Sequence, residues 1–309
     1  MKLQEHFVQS VRLYYKAKGE AWLQQLPKLI QYCEQKWSIK LKEPYFLSIN
    51  YVAPATMEDG TEIVVKICIP DEGFLNELEA LQLFANDRMV SLIDSDKRYG
   101  IIVLKKLSPG HTLAEVNNDE DACYIAAHLI KAITKPAPVH TRIPTTGSRE
   151  EQLRQLVYVN PNGVGPISQQ TLDQALRIFT YLHQTTKFYK LLHGDFHHYN
   201  VLASENGTWT AIDPKGLIGE VEYDLIQYML NKLPVHNAYD VIKKRVEIFT
   251  EELHLDKERL LLWGYCHTVL ATAWTVDEDR SYNTQFFGGI EIFEKLYKAN
   301  FGDVTYLTS

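Results

Sequence analysis

No apolar run in this sequence approaches the roughly 18–20 residues that span a bilayer, and none of the N-terminal residues form an apolar signal core. Internal repeats and low-complexity tracts are absent as well. Only four cysteines occur in 309 residues, Cys33, Cys68, Cys123 and Cys266, far apart and without a C-x-x-C pair. In a chain of this size with no leader, that pattern predicts buried thiols, not disulfides, and a cytoplasmic protein. Positive charge is in deficit: 32 Lys and Arg against 39 Asp and Glu give a formal net charge of −7. Phosphate backbones meet no attractive field, which argues against general nucleic-acid binding and favours cationic partners.

What is present is the balance of an ordinary globular chain, 45% hydrophobic and 23% charged, long enough for one large domain or two lobes. The N-terminal stretch reads as two amphipathic helices, the second carrying Trp22, Leu23, Leu26, Leu29, Ile30 and Cys33 at helical spacing. Tyr45 to Val52, a turn at Glu58-Asp59-Gly60 and the β-branched run Thr61 to Ile69 predict a hairpin. Asp71 is placed to cap a helix over Gly73 to Ala85. Strands are predicted over Val90–Asp94 and Tyr99–Leu107, and Ser108-Pro109-Gly110 then breaks the chain. The boundary between an N-terminal lobe (1–107) and a mainly helical C-terminal lobe (108–309) is placed there. Helices are predicted over Ser168–Thr186 and near Tyr223–Leu233, Val241–His254 and Lys257–Thr275. Val201 to Ser204 and Trp209 to Ile212, joined through Asn206-Gly207, read as a tight hairpin.

Chemistry concentrates around that hairpin. His193-Gly194-Asp195-Phe196-His197-His198-Tyr199-Asn200 is an H-G-D-x-x-x-x-N run, with the Asp-to-Asn spacing of the protein-kinase catalytic loop. Asp213 emerges where the hairpin returns, the place of a kinase's metal-binding Asp. Phosphoryl transfer needs a carboxylate to orient and deprotonate a hydroxyl, oxygen ligands for a metal, and a lysine paired with a glutamate on the phosphates. Upstream, Lys66 lies in the apolar strand Val64-Val65-Lys66-Ile67 and needs a partner. Glu77 lies roughly 70° from the centre of the following helix's apolar stripe and Glu79 roughly 130° from it, so Glu77 is chosen.

Each element alone has a plainer reading: a solvent-facing strand lysine, a helix-surface glutamate, a turn aspartate before Pro214. Their order along the chain carries the inference. A zinc-hydrolase reading of His193, Asp195, His197 and His198 fails on order, H-x-D-x-H-H against H-x-H-x-D-H, and leaves Lys66 unexplained.

On these residues the chain resembles the aminoglycoside phosphotransferase family, in its streptomycin 6-phosphotransferase and hydroxyurea phosphotransferase branch. The similarity runs from about Ser48 to Trp274 and is strongest over Leu191–Leu202 and over Ile212-Asp213-Pro214-Lys215-Gly216-Leu217-Ile218-Gly219. Leu104–Gly110 resembles its hinge. The resemblance implies an α+β, two-lobed protein-kinase-like fold, with a small antiparallel sheet in the N-lobe, and an antibiotic-resistance kinase using ATP and Mg2+. It makes Asp195 the catalytic base, Asn200 and Asp213 the metal ligands, and Lys66 with Glu77 the phosphate-positioning pair. Asp224 corresponds to the family's brace beneath the loop, and His193 supports the loop. Two departures stand out. Tyr199 occupies a place where the branch usually has a small residue, and Gly60 is the only glycine between Pro44 and Lys66.

The acceptor implied is a hydroxylated, cationic small molecule of streptomycin type, with Asp277, Glu278 and Asp279 facing it. As a charge run those three also fit a solvated helix end. Alternative readings are a kinase of an amino alcohol or sugar with no resistance role, and a nucleotide-binding pseudokinase.

Overall fold

From Glu5 to Lys36 the chain is helical (α1), interrupted at Lys16, whose φ of 52° and ψ of −130° separate two helical segments. These are the two amphipathic helices read from the sequence. At Gly19 a Cβ would lie 2.5 Å from the Val11 carbonyl oxygen, so only glycine fits at that approach. The computed structural model describes residues 3–86, 88–277 and 279–303. The chain divides into two compact units, Met1–His111 with Ala203–Ile212, and Thr112–Leu202 with Asp213–Ser309.

In the first unit α1 is followed by β1 (Lys40–Leu41), β2 (Tyr51–Thr56), β3 (Glu62–Ile67), α2 (Glu72–Phe84), β4 (Leu92–Asp96) and β5 (Ile101–Lys105). They form a five-stranded antiparallel sheet in the order β1-β2-β3-β5-β4. Alternation along β3 sends Ile63, Val65 and Ile67 to one face, where they meet Tyr51, Ala53, Ala55, Ile101 and Val103 and are buried with Phe7, Val11, Leu26 and Cys33 of α1. Lys66 therefore points to the other face, flanked in register by Val52 and Ile102. Asp71 caps α2 through a bond from the Phe74 N–H (3.0 Å). The helix buries Phe74, Leu78, Leu81 and Phe84, and Glu77 with them. Lys66 Nζ and Glu77 Oε1 meet at 2.6 Å with side chains 8% and 5% exposed.

One strand differs from the sequence reading. Tyr45 to Asn50 is irregular, and the strand begins at Tyr51. Aromatic β propensity favoured Tyr45-Phe46-Leu47, yet Phe46 is 85% exposed and stacks on His6. The strand instead runs through the weaker strand formers Ala53, Pro54 and Ala55, with Ala53 and Ala55 buried against α1 alongside Tyr51.

The second unit contains α3 (Asp119–Ile133), β6 (Lys135–Pro136), α4 (Gly147–Val159), α5 (Gln169–Thr185) and β7 (Lys190–Leu192). Next in the chain is the hairpin of β8 (Val201–Ala203) and β9 (Trp209–Ala211), which from Ala203 to Ile212 is part of the first unit, its tip turned by Asn206 and Gly207 at φ of 59° and 70°. Then come β10 (Leu217–Gly219), α6 (Val221–Asp224), α7 (Ile226–Leu230), α8 (Ala238–Leu253), α9 (Lys257–Trp274) and α10 (Thr284–Phe301). Helix α9 is buried along nearly its whole length, and Gly264 leaves room for the Phe293 ring of α10. The four cysteines are free and buried, and no helix among the described residues is long and apolar enough to cross a membrane.

The Lys66–Glu77 pair yields a stability prediction. Removing one partner of a buried pair costs about 3–5 kcal/mol, whereas replacing both with apolar residues is close to neutral. Urea unfolding of Glu77→Leu is expected to show a loss of that size, and Lys66→Met/Glu77→Leu to recover most of it. Equal losses in both variants would show that the two charges do not act as a unit.

Candidate active site

Two three-residue strands too short to stand out in the sequence set the geometry of the second unit's polar centre. β7 pairs antiparallel with β10, Leu192 opposite Leu217 and Leu191 opposite Ile218. The segment leaving β7 and the segment entering β10 therefore lie side by side. The backbone N–H groups of Lys215 and Gly216 both donate to the His193 carbonyl, at 2.9 and 3.0 Å. Gly194 sits at φ 83°, and a Cβ there would meet the Gly216 backbone at 3.3 Å.

Beneath this junction Asp224 accepts the N–H of His193 on one carboxylate oxygen and that of Gly194 on the other, each at 2.7 Å. Asp224 is 5% exposed. Burial pushes its carboxyl up to about 7, against the pull of the two N–H donors, and the nearby Asp195 charge adds to the rise. His193 is fully buried and accepts the Asp195 N–H on Nδ1 at 3.3 Å.

Asp195 and Asp213 keep side-chain exposures of 29% and 31%, open to a ligand. The Asn200 amide donates from Nδ2 to the Asp195 carbonyl at 2.9 Å, which fixes the amide plane and leaves Oδ1 as its remaining donor to a cation. Asp213 has φ 58°, a left-handed conformation that a non-glycine residue holds only when its surroundings impose it. Lys215 Nζ lies 2.9 Å from Asp213 Oδ2. His197 accepts the Tyr199 N–H on Nδ1 at 3.2 Å and turns Nε2 toward Asp195 Oδ1 at 3.7 Å. Burial holds the His197 ring below the usual imidazole range, with Asp195 and Asp213 opposing and Lys215 reinforcing. Tyr199 is 53% exposed, edge-on to His197.

His198 stands apart from this group. It is 1% exposed, stacks on Tyr228 with ring centroids 3.9 Å apart, and neither ring nitrogen has a hydrogen-bond partner among the described residues. Burial pushes it down to about 3, so it serves as a flat neutral ring. Tyr228 in turn lies under the guanidinium of Arg245 at 5.4 Å. Arg245 is fully buried and donates to both carboxylate oxygens of Asp119 and to the carbonyls of Tyr228, Met229 and Asn231. Sequence reading missed this strut under the loop. Its one visible signal is an arginine within the otherwise amphipathic pattern of α8.

In the first unit the structure brings Lys66 and Glu77 together, as described above. Asp277 and Asp279 are exposed in a turn after α9, closed by the Arg280 N–H to the Asp277 carbonyl and the Ser281 N–H to Asp279. That N–H bond holds the Asp279 carboxyl below its ordinary value. Glu278 lies outside the described residues. No cluster of three or more His, Cys, Asp and Glu fit to hold a metal occurs among the described residues. Magnesium in a phosphotransferase needs no such cage, since one or two protein oxygens and the phosphates suffice. Asn200 and Asp213 supply oxygens of that kind, so the donor set fits.

A mainly helical unit with a braced H-G-D-x-x-x-x-N loop and an antiparallel-sheet unit with a buried Lys–Glu pair are the two parts of a protein-kinase-like fold. Choline kinase from Streptococcus pneumoniae superposes with a TM-score of 0.60 at 14% identity, covering 88% of this chain and 99% of that one. A thermostable mutant aminoglycoside phosphotransferase, in ternary complex with ADP and hygromycin B, also gives 0.60, at 13% identity with the same coverage. Residues 48–279 match the profile of the aminoglycoside/hydroxyurea antibiotic resistance kinase family, and the chain belongs to that family. It is 27% identical over 271 residues to streptomycin 6-kinase of Streptomyces griseus, spanning 84% of this chain and 86% of that one. The chain is thus a kinase that phosphorylates a hydroxyl group of a small molecule.

Asp224 makes the site's pH behaviour testable. Its carboxyl binds a proton more tightly folded than unfolded, since burial raises it from 3.8 to about 7. Between those values the folded state holds the extra proton, so this group's contribution to stability falls as pH rises. Urea midpoints measured from pH 4.5 to 7.5 are expected to carry that downward component, and Asp224→Asn to remove it. An unchanged slope in the variant would contradict the assignment.

Proposed function

We propose that this chain transfers the γ-phosphate of ATP to a hydroxyl of a cationic aminoglycoside of the streptomycin type. One observation carries the chemistry: Asp195, an accessible carboxylate, sits on a loop held from both sides by backbone bonds, with Asn200 and Asp213 in the same unit. Asp195 would accept the proton of the attacking hydroxyl. Asn200 and Asp213 would hold Mg2+, which when bound neutralises phosphate charge. Lys66, oriented by Glu77, would position the phosphates of the nucleotide, and Asp224 and His193 would keep the loop in place. The related phosphotransferase captured with ADP supports ATP as donor. Similarity to the S. griseus enzyme, with the chain's own net charge of −7, supports a cationic acceptor.

A hydroxylated metabolite is the second reading, favoured by Tyr199. An exposed aromatic ring beside Asn200 would shape the acceptor side. A pseudokinase has no use for an accessible Asp195.

The deciding measurement is ADP release with a panel of aminoglycosides, hydroxyurea, amino alcohols and sugars. Turnover with streptomycin is expected, and Asp195→Asn is expected to lower kcat by roughly 10²–10⁴ while nucleotide binding persists. Turnover with an amino alcohol or sugar alone would move the reading to metabolite phosphorylation, and turnover with nothing would favour the pseudokinase.

We further propose that Asp277, Glu278 and Asp279 attract the cationic acceptor. Reversing all three to lysine is expected to raise KM for streptomycin by roughly threefold to tenfold, the scale of partly solvated ion pairs, with kcat unchanged. An unaltered KM would remove them from the acceptor site.

A further inference from the structure

We propose that Lys215 is a catalytic cation of this enzyme, its ammonium contacting an oxygen of the phosphoryl group as it transfers. The inference rests on the proposed phosphotransfer at Asp195 and adds a residue to it. Lys215 lies two residues beyond Asp213, in the turn Asp213-Pro214-Lys215-Gly216. Its backbone is tied to the catalytic loop, since its own N–H and that of Gly216 donate to the His193 carbonyl at 2.9 and 3.0 Å. Asp213 at φ 58°, followed by a proline, bends the chain so that the Lys215 side chain returns over the Asp213 carboxylate at 2.9 Å. His197 Nε2 lies 3.7 Å from Asp195 Oδ1, and the charges of Asp213 and Lys215 also act on that ring.

A stabilising role does not account for this placement. Side chains 42% and 31% exposed form a pair of the solvated kind, and such pairs contribute little to stability. The contact also sets an ammonium against a carboxylate whose proposed task is to hold a different cation. A lysine suits that position for another reason: its flexible stem and three donors let it exchange one oxygen partner for another without leaving the site.

The chemistry requires such a group. The bond from phosphorus to the acceptor oxygen forms as the bond to the bridging oxygen of ADP breaks, and ADP departs with that electron pair. Asp195 takes the hydroxyl proton. Negative charge spreads over the three non-bridging oxygens in flight, and a fixed cation there stabilises the transition state more than the ground state. Lys215 would make this contact as a donor throughout and lose no proton.

The experiment compares wild type, Lys215→Met and Lys215→Arg by calorimetry with two probes in the presence of magnesium. AMP-PNP reports ground-state binding, and ADP with aluminium fluoride mimics the phosphoryl group in transfer. Lys215→Met is expected to weaken aluminium fluoride complex formation by roughly 10²-fold, the scale of losing one charge-stabilising donor. AMP-PNP affinity is expected to change by less than about threefold, and Lys215→Arg to restore part of the loss. Equal effects on both probes would mean that Lys215 only steadies Asp213, and no effect on either would mean that it is a surface charge. Each result overturns this proposal and leaves phosphotransfer intact. A wild-type chain that binds neither probe would overturn the phosphotransfer reading and this one with it.

Discussion

One carboxylate holds the second unit's polar centre in shape. Asp224 accepts the N–H groups of two consecutive residues, His193 and Gly194, at 2.7 Å each. Consecutive N–H groups converge on one acceptor only where the chain turns sharply, which is why Gly194 takes a positive φ there. From that turn the other positions follow. The His193 carbonyl receives Lys215 and Gly216, the Asp195 backbone receives the Asn200 amide, and β7 lies against β10. Burial disfavours the charged form of Asp224, and the two N–H bonds offset part of that cost.

The two lysine–carboxylate pairs differ in a way that matches their proposed tasks. Lys66–Glu77 is buried between sheet and helix, so neither side chain can wander without leaving charge in an apolar surround. Such a pair fixes a cation in one place. Lys215–Asp213 is partly open to solvent, and the Lys215 N–H is bound to the His193 carbonyl of the loop. Its ammonium can change partners cheaply, as a group must that follows charge moving during a reaction.

Much of the fold was legible because it depends on local signals. Asp71 capping α2, the Asn206-Gly207 turn and the alternation of β3 are short-range effects that act wherever those residues occur. The misplaced strand at Tyr45 shows the limit of such signals, since local propensity did not reveal that Phe46 is exposed while Tyr51, Ala53 and Ala55 pack against α1. β6, β7 and β10 were not legible at all. Runs of two or three residues form strands only if partners arrive from far along the chain, and nothing local announces that arrival. The same holds for Arg245, whose hydrogen bonds reach residues up to 126 positions away.

The sequence by itself therefore determined the H-G-D-x-x-x-x-N loop, the strand lysine and the choice of Glu77 by helical angle, because residue type and spacing along one element carry them. The tertiary structure alone decided what each histidine of the loop does. His193 is sealed in the core, His197 faces Asp195, and His198 lies flat on Tyr228, although the last two are neighbours in sequence. Tertiary structure also decided where the ammonium of Lys215 rests. The physical reason is common to both: the backbone around residues 193–200 and 213–216 is shaped by bonds between the two segments and to Asp224, and only that shape sets the direction of each side chain.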